Sequence, residues 1–393
     1  AKMVQDNPGK RFLLLGTNEY MFSDQMANLA HIAPGFKPGN LQFMTYSAAM
    51  AAAKADKDAP HCDVIVADEF HHCGAPEWSK GVLHVIEGNP SAKLVGFSAT
   101  PIRYSDNGRN MADEMFDGNI ASSMGLEEAW LDGILPIPKY IIALYDAPKE
   151  LGNIRVSIEK VKDKKKHSKF VKRYEELRRS LAEASGVDEV IARHLTKQNA
   201  KVVVFCPNAN RLRDFMLLRR AWFGRVNRDI HAYKTISADP YGSLDFQSFK
   251  EDESDSLKVL YCINQLNEAV HIKGIDAIVM VRPTKSPIIF HQQLGRVLSS
   301  GGNQTPLVFD LCNNFGSLGG IMGMQERMER TYEAKTAHGE KPPYEPKDFQ
   351  VIDAIKDPRE LAEELRDAMN PKVSIEEKIT FLEEVAAQNG GKL

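Results

Sequence analysis

The residues with the clearest chemical potential are Asp68 and Glu69, which follow the apolar run Val64-Ile65-Val66-Ala67 and precede Phe70-His71-His72. A strand that delivers two adjacent carboxylates at its C-terminal tip suits a hard cation, because Mg2+ favours carboxylate oxygen together with water and phosphate. The second carboxylate can then polarise a water for attack on a phosphoryl group. A second apolar run, Leu94-Val95-Gly96-Phe97, ends in Ser98-Ala99-Thr100-Pro101. The nearby His61, Cys62, His71, His72 and Cys73 invite comparison with a zinc site. Cys62 opens the strand whose tip bears the carboxylates and Cys73 lies beyond that tip. At about 3.3 Å of rise per residue the two groups sit too far apart for one tetrahedral ion, and no Cys-x-x-Cys spacing exists.

These tips require strands to carry them. Short apolar runs at 11–16, 41–46, 63–67, 93–97 and 140–145 alternate with longer amphipathic stretches, and a second set follows at 201–206, 230–235, 257–262, 276–281 and 307–311. Such alternation predicts α/β architecture with parallel sheets. The chemical residues then fall at the C-terminal strand ends, where open α/β sheets bind ligands. Between the two sets, 147–185 is charged and strand-poor, with Phe170, Tyr174, Leu177 and Leu181 at helical spacing. After 330, Asp357-Pro358-Arg359-Glu360 and Ser374-Ile375-Glu376-Glu377 are helix-start signals.

A length of 393 residues predicts two or three domains, at about 150 residues each. No run of about 18 apolar residues exists, which excludes a membrane-spanning helix. Five scattered cysteines, at 62, 73, 206, 262 and 312, point to free thiols and a reducing cytoplasm. The net charge of −3 hides an uneven distribution: 159–179 holds ten basic and four acidic residues, whereas 338–393 holds eight basic and thirteen acidic. The basic stretch suits a phosphate backbone through counterion release, and it equally suits a solvated helix face.

In order along the chain, the Asp-Glu-Phe-His of 68–71, the Ser-Ala-Thr of 98–100, the runs at 202–206 and 264–276, and His291-Gln292-Gln293-Leu294-Gly295-Arg296 resemble motifs II to VI of superfamily-two helicases of the DEAD/DEAH type. The resemblance covers roughly residues 10–315. Ser98-Ala99-Thr100-Pro101-Ile102-Arg103-Tyr104 and Arg282-Pro283-Thr284-Lys285-Ser286-Pro287 are more similar to the bacterial type III restriction-enzyme motors than to RNA-directed DEAD-box proteins.

The resemblance implies two RecA-like parallel-sheet lobes with ATP and Mg2+ as cofactors. The implied organisation is a partial first lobe at 1–146, a charged helical linker at 147–185, a second lobe at 186–330 and a helical extension at 331–393. It assigns Asp68 to the Mg2+ of a bound nucleotide, Glu69 to the attacking water, and His71, Ser98 and Thr100 to coupling between the lobes. Arg296 reaches the γ-phosphate and Gln292 supports it. Asn18, Thr45, Tyr46 and Asn208 fall where nucleic-acid contacts are expected, although Asn and Thr after a strand also cap helices. Two positions depart from the pattern. His271 stands in place of an aspartate that touches the nucleotide, and Ser299 replaces a second arginine.

No Gly-x-x-x-x-Gly-Lys-Ser/Thr phosphate loop occurs; Asn7-Pro8-Gly9-Lys10 lacks its spacing. The expectation is therefore a fragment whose phosphate loop lies ahead of Ala1, unable by itself to hydrolyse ATP, with further domains or subunits beyond either end. Within a DNA helicase or translocase it forms the motor core. The alternative is a non-catalytic nucleic-acid-binding or assembly scaffold, and RNA unwinding is a third option.

Overall fold

The computed structural model describes residues 2–33, 35, 38–98, 101–103, 109–143, 147–183, 186–236, 242–263, 274–282, 305–312 and 320–369. Strands β1 (Phe12–Gly16), β2 (Leu41–Thr45), β3 (Val64–Asp68) and β4 (Lys93–Phe97) form a parallel sheet in the order β2-β1-β3-β4. Parallel sheets need cover on both faces, so the central β1 and β3 are the most buried. The outer strand β4 leaves Phe97 57% exposed.

Around this sheet lie α1 (Lys2–Asp6), α2 (Glu19–Ile32), α3 (Tyr46–Lys54), α4 (Pro76–Glu87) and α5 (Met111–Phe116), with a short antiparallel pair, β5 (Ile102–Arg103) and β6 (Arg109–Asn110). Helices α3 and α4 meet backbone to backbone at Gly81. A Cβ there would lie 2.7 Å from the Ala49 carbonyl carbon and closer still to the Met50 nitrogen.

The second unit opens with α6 (Leu126–Leu131) and β7 (Lys139–Ile142), then α7 (Ala147–Glu159), α8 (Lys164–Glu183) and α9 (Val187–His194). It continues through β8 (Lys201–Phe205), α10 (Ala209–Leu217), α11 (Arg219–Phe223), β9 (Ile230–Thr235), α12 (Gly242–Glu251), β10 (Leu257–Cys262), β11 (Ile275–Met280) and β12 (Leu307–Asp310). It closes with α13 (Gly320–Ala337), β13 (Val351–Asp353) and α14 (Lys356–Met369). Its seven strands pair in parallel in the order β13-β7-β12-β11-β8-β10-β9. Alternate residues face two separate cores: Val203, Phe205, Leu260 and Cys262 enter one, and Val202, Val204, Val259 and Tyr261 the other. Burial on both faces explains why these strands read as unbroken apolar runs. The fold is thus α/β with two parallel-sheet, RecA-like lobes.

Two strands depart from expectation. The run at 140–145, expected to close the first sheet, contributes β7 to the second, where it pairs with β12 and β13. Tyr140 explains the preference: it is fully buried and donates its hydroxyl to the buried Asp310 carboxylate of β12 at 2.8 Å. The stretch after 330, expected to be helical, also supplies β13. Helices α7, α8 and α14 pack together through Ile154, Ile158, Phe170, Leu177, Ala362 and Leu365. No helix among the described residues is long and apolar enough to cross a membrane.

Candidate functional site

Parallel pairing places Asp68 of β3 opposite Phe97 of β4, so the residues just past both strand ends meet. Nδ1 of His71 lies 2.8 Å from Oγ of Ser98. Between strand and histidine the chain turns at Glu69, whose φ of 50° and ψ of 47° are left-handed. A non-glycine residue held there costs roughly 1–3 kcal/mol and persists only where its surroundings over-determine it. Here the Tyr46 hydroxyl donates to the Asp68 carbonyl at 2.7 Å, and the His72 N–H donates to the Glu69 carbonyl at 2.9 Å. A 3-10 turn at Phe70–Gly74 follows, and it brings His71 Nδ1 to 3.3 Å from Oε2 of Glu69.

The two carboxylates are poorly neutralised. Burial, and then the charge of Glu69, push the Asp68 carboxyl above the usual range, against a 3.4 Å hydrogen bond from Gln25 Nε2. Oε2 of Glu69 is buried without a hydrogen bond among the described residues. No lysine or arginine among the described residues pairs with either group. A divalent cation would relieve both the burial and the mutual repulsion. The donor set therefore fits Mg2+ carried on a phosphate, which keeps several waters and takes only one or two protein carboxylates. No group of three or more metal-ligating side chains occurs among the described residues.

The other expected residues scatter. Thr45 caps α3 by accepting the Ala48 N–H at 3.0 Å, and Asn208 caps α10 by accepting the Arg211 N–H at 3.0 Å. Asn18 is exposed at the tip of β1, with Nδ2 3.2 Å from Thr17 Oγ1. Tyr46, expected among the nucleic-acid contacts, is 0% exposed. Its ring stacks on Trp78 at 5.3 Å, burial raises its hydroxyl far above the ordinary tyrosine range, and it serves as a post under the Asp68-Glu69 turn. Thr100, His271, Gln292, Arg296 and Ser299 lie outside the described residues.

Sequence reasoning missed Gln25, Gly96 and Arg109. A Cβ on Gly96 would fall 2.7 Å from Phe70 Cδ1 and closer to Phe116, so the missing side chain admits the edge-on Phe70–Phe116 pair beneath the turn. Arg109 donates to the Gly74 carbonyl at 3.1 Å and secures the far end of the 3-10 turn. Only glycine within the apolar run 94–97 carried a signal, since glycine in a strand often marks close approach of a neighbour.

Residues 12–103 match the family model described as "Type III restriction enzyme, res subunit", and residues 185–301 match "Helicase conserved C-terminal domain". The chain is thus similar to superfamily-two helicases of the type III restriction-like kind. The chain is 23% identical over 249 residues to "Putative helicase 22" of Sulfolobus islandicus filamentous virus (isolate Iceland/Hveragerdi), a match covering 62% of this chain and 41% of that protein. Among solved structures, it is similar to the ATP-dependent Type ISP restriction-modification enzyme LlaBIII bound to DNA. That likeness has 15% identity and a TM-score of 0.52, and covers 94% of this chain and 30% of the other. S. cerevisiae Dbp5 bound to RNA and ADP BeF3 matches with 10% identity and a TM-score of 0.49, covering 92% of this chain and 81% of that one. The chain thus spans about two fifths of the viral relative and a smaller share of LlaBIII.

Proposed function

We propose that this chain is the core of an ATP-dependent DNA translocase, with the turn after β3 as its nucleotide-responsive element. Asp68 would hold the Mg2+ of the nucleotide, and Glu69 would orient and deprotonate the attacking water. The observation that carries this assignment is the contact between His71 Nδ1 and Ser98 Oγ at 2.8 Å. It joins the carboxylate turn to the end of the neighbouring strand, so a change at Glu69 is felt at β4. Motion follows if the state favoured by an intact γ-phosphate differs from that favoured after its loss. Gln292 and Arg296 would complete the site from the second lobe, with Thr100 and His271 beside the nucleotide. Asn18, Thr45 and Asn208 would face the nucleic acid, mainly its phosphates.

Support for DNA over RNA comes from the restriction-enzyme description matched at 12–103 and from the similar fold of a restriction enzyme whose structure is bound to DNA. A cytoplasmic setting is supported by the five free thiols. Because the sequence holds no Gly-x-x-x-x-Gly-Lys-Ser/Thr loop, the chain alone is expected to bind ATP weakly and to turn over none above background. Measured turnover that depends on Glu69 would refute that expectation.

The decisive test joins the chain behind a segment that supplies such a loop. DNA is then expected to raise ATP hydrolysis, and Glu69→Gln to abolish turnover while leaving nucleotide binding largely intact. Arg296→Ala should cost on the order of a thousandfold, as an arginine finger does. Stimulation by RNA alone would overturn the choice of DNA. Nucleotide binding that ignores both DNA and Glu69→Gln, without turnover, would leave the scaffold, a reading that the departures at His271 and Ser299 favour.

A further inference from the structure

Lys162, Lys164, Lys165, Lys166, Lys169 and Lys172 form an exposed strip at the start of α8 that the strand-tip site does not use. Lys165, Lys169 and Lys172 recur on one face, about a third of a turn from the stripe of Phe170 and Leu177 that packs against α7 and α14. None of the six lysines forms an ion pair among the described residues. The arginines nearby do: Arg173 binds Glu176 at 2.8 Å and Glu364 at 3.0 Å, Arg178 binds Glu175 at 2.8 Å, and Arg155 binds Glu159 at 3.2 Å. The remaining carboxylate in the strip, Asp163, accepts the Lys166 N–H at 2.9 Å and caps the helix.

This arrangement runs against helix physics twice. Like charges three or four residues apart, as at Lys165, Lys169 and Lys172, each destabilise a helix by about 0.2–0.5 kcal/mol. Lysines in a first turn also oppose the macrodipole, and α8 has no acidic residue in its first turn. The Asp163 cap and Glu176 beside Lys172 offset these penalties only in part, and local rules broken with incomplete compensation mark sites kept for function. A polyanion lying along this face would relieve both penalties.

We propose that the lysine face of α8 is a sequence-independent docking surface for the phosphate backbone of duplex DNA. The choice of polymer rests on the DNA reading above; the surface itself needs no nucleotide. Along the helix, Lys165 to Lys172 spans about 10 Å, a rod of positive charge suited to a backbone rather than to a single phosphate. A membrane lacks a purchase here, because the apolar stripe of α8 is already buried against α7 and α14.

The test is nucleotide-free binding of the whole chain to a fluorescent DNA duplex across a salt series. Each phosphate contact adds about 0.9 to the steepness of log K against log salt, so the combined Lys165→Gln, Lys169→Gln, Lys172→Gln variant is expected to flatten the slope by about 2.7. Between about 50 and 200 mM salt, the variant should therefore lose roughly 40-fold less affinity than the parent. Glutamine at three exposed lysines elsewhere, Lys10, Lys57 and Lys93, should leave the slope unchanged. Because repulsion within α8 is removed, the variant should melt no lower than the parent.

An unchanged slope, or equal flattening by the control set, would overturn the proposal. So would lysine-dependent binding of polyglutamate or anionic vesicles with none to DNA. Flattening of the slope in a chain that shows no DNA-stimulated hydrolysis, even when supplied with a phosphate loop, would support the surface and sink the motor alone. The reverse pattern would sink the surface alone.

Discussion

Replacing Tyr46 by phenylalanine isolates the post beneath the carboxylate turn. The ring, 0% exposed and stacked on Trp78, keeps its place, so no cavity opens. What disappears is the hydroxyl, with its 2.7 Å hydrogen bond to the Asp68 carbonyl and its contact with the Cys73 thiol. Leaving such a buried acceptor unsatisfied costs about 1–3 kcal/mol. A loss near 2 kcal/mol lowers the melting temperature of this first unit, of roughly 120 residues, by about 8 °C. Tyr46→Ala also removes the ring and should cost more, about 3–5 kcal/mol, as other large aromatic truncations do. Urea unfolding followed by tryptophan fluorescence reads both effects. Trp78 reports the first sheet, while Trp130 and Trp222 sit in the cores of the second and serve as an internal reference. An unchanged midpoint for Tyr46→Phe, combined with weaker binding of duplex DNA, would refute the assignment and return Tyr46 to the nucleic-acid surface.

Gly81→Ala drives a Cβ into the α3 backbone at Ala49 and Met50, which cannot swing aside as a side chain can, so a loss of about 1–3 kcal/mol or more is expected in the same unfolding assay. Asp68→Asn should stabilise the protein at pH 7. The folded-state pKa of Asp68 is raised by burial and by Glu69, so its stabilising protonation is complete below the unfolded value of about 3.9 and is lost as pH rises through the folded value. The gain from asparagine should therefore vanish below about pH 3.9, and an asparagine variant less stable than the parent at pH 7 would contradict it.

Sequence alone located most of the strands and both chemical tips. Parallel strands covered on two faces must be apolar along their whole length, so β1, β3, β8, β10 and β11 stand out as runs of Leu, Ile and Val with punctuated ends. Asp68 and Glu69 alone read as readily as a solvated strand end; they stood out as candidates because Ser98-Ala99-Thr100 and Gln292-Gln293-Leu294-Gly295-Arg296 follow them in the order of a helicase. The partner of a strand was not legible. The residues of β7 say that it is a strand, but its sheet was decided by Tyr140 meeting Asp310, 170 positions away. Tyr46 shows the same limit at the site. A tyrosine just past a strand reads as exposed, and only the packing of Trp78 and the approach of the Asp68 carbonyl turned it inward. Composition and spacing are local properties of the chain, whereas burial and pairing are set by segments distant in sequence, and those emerge only when the chain closes on itself.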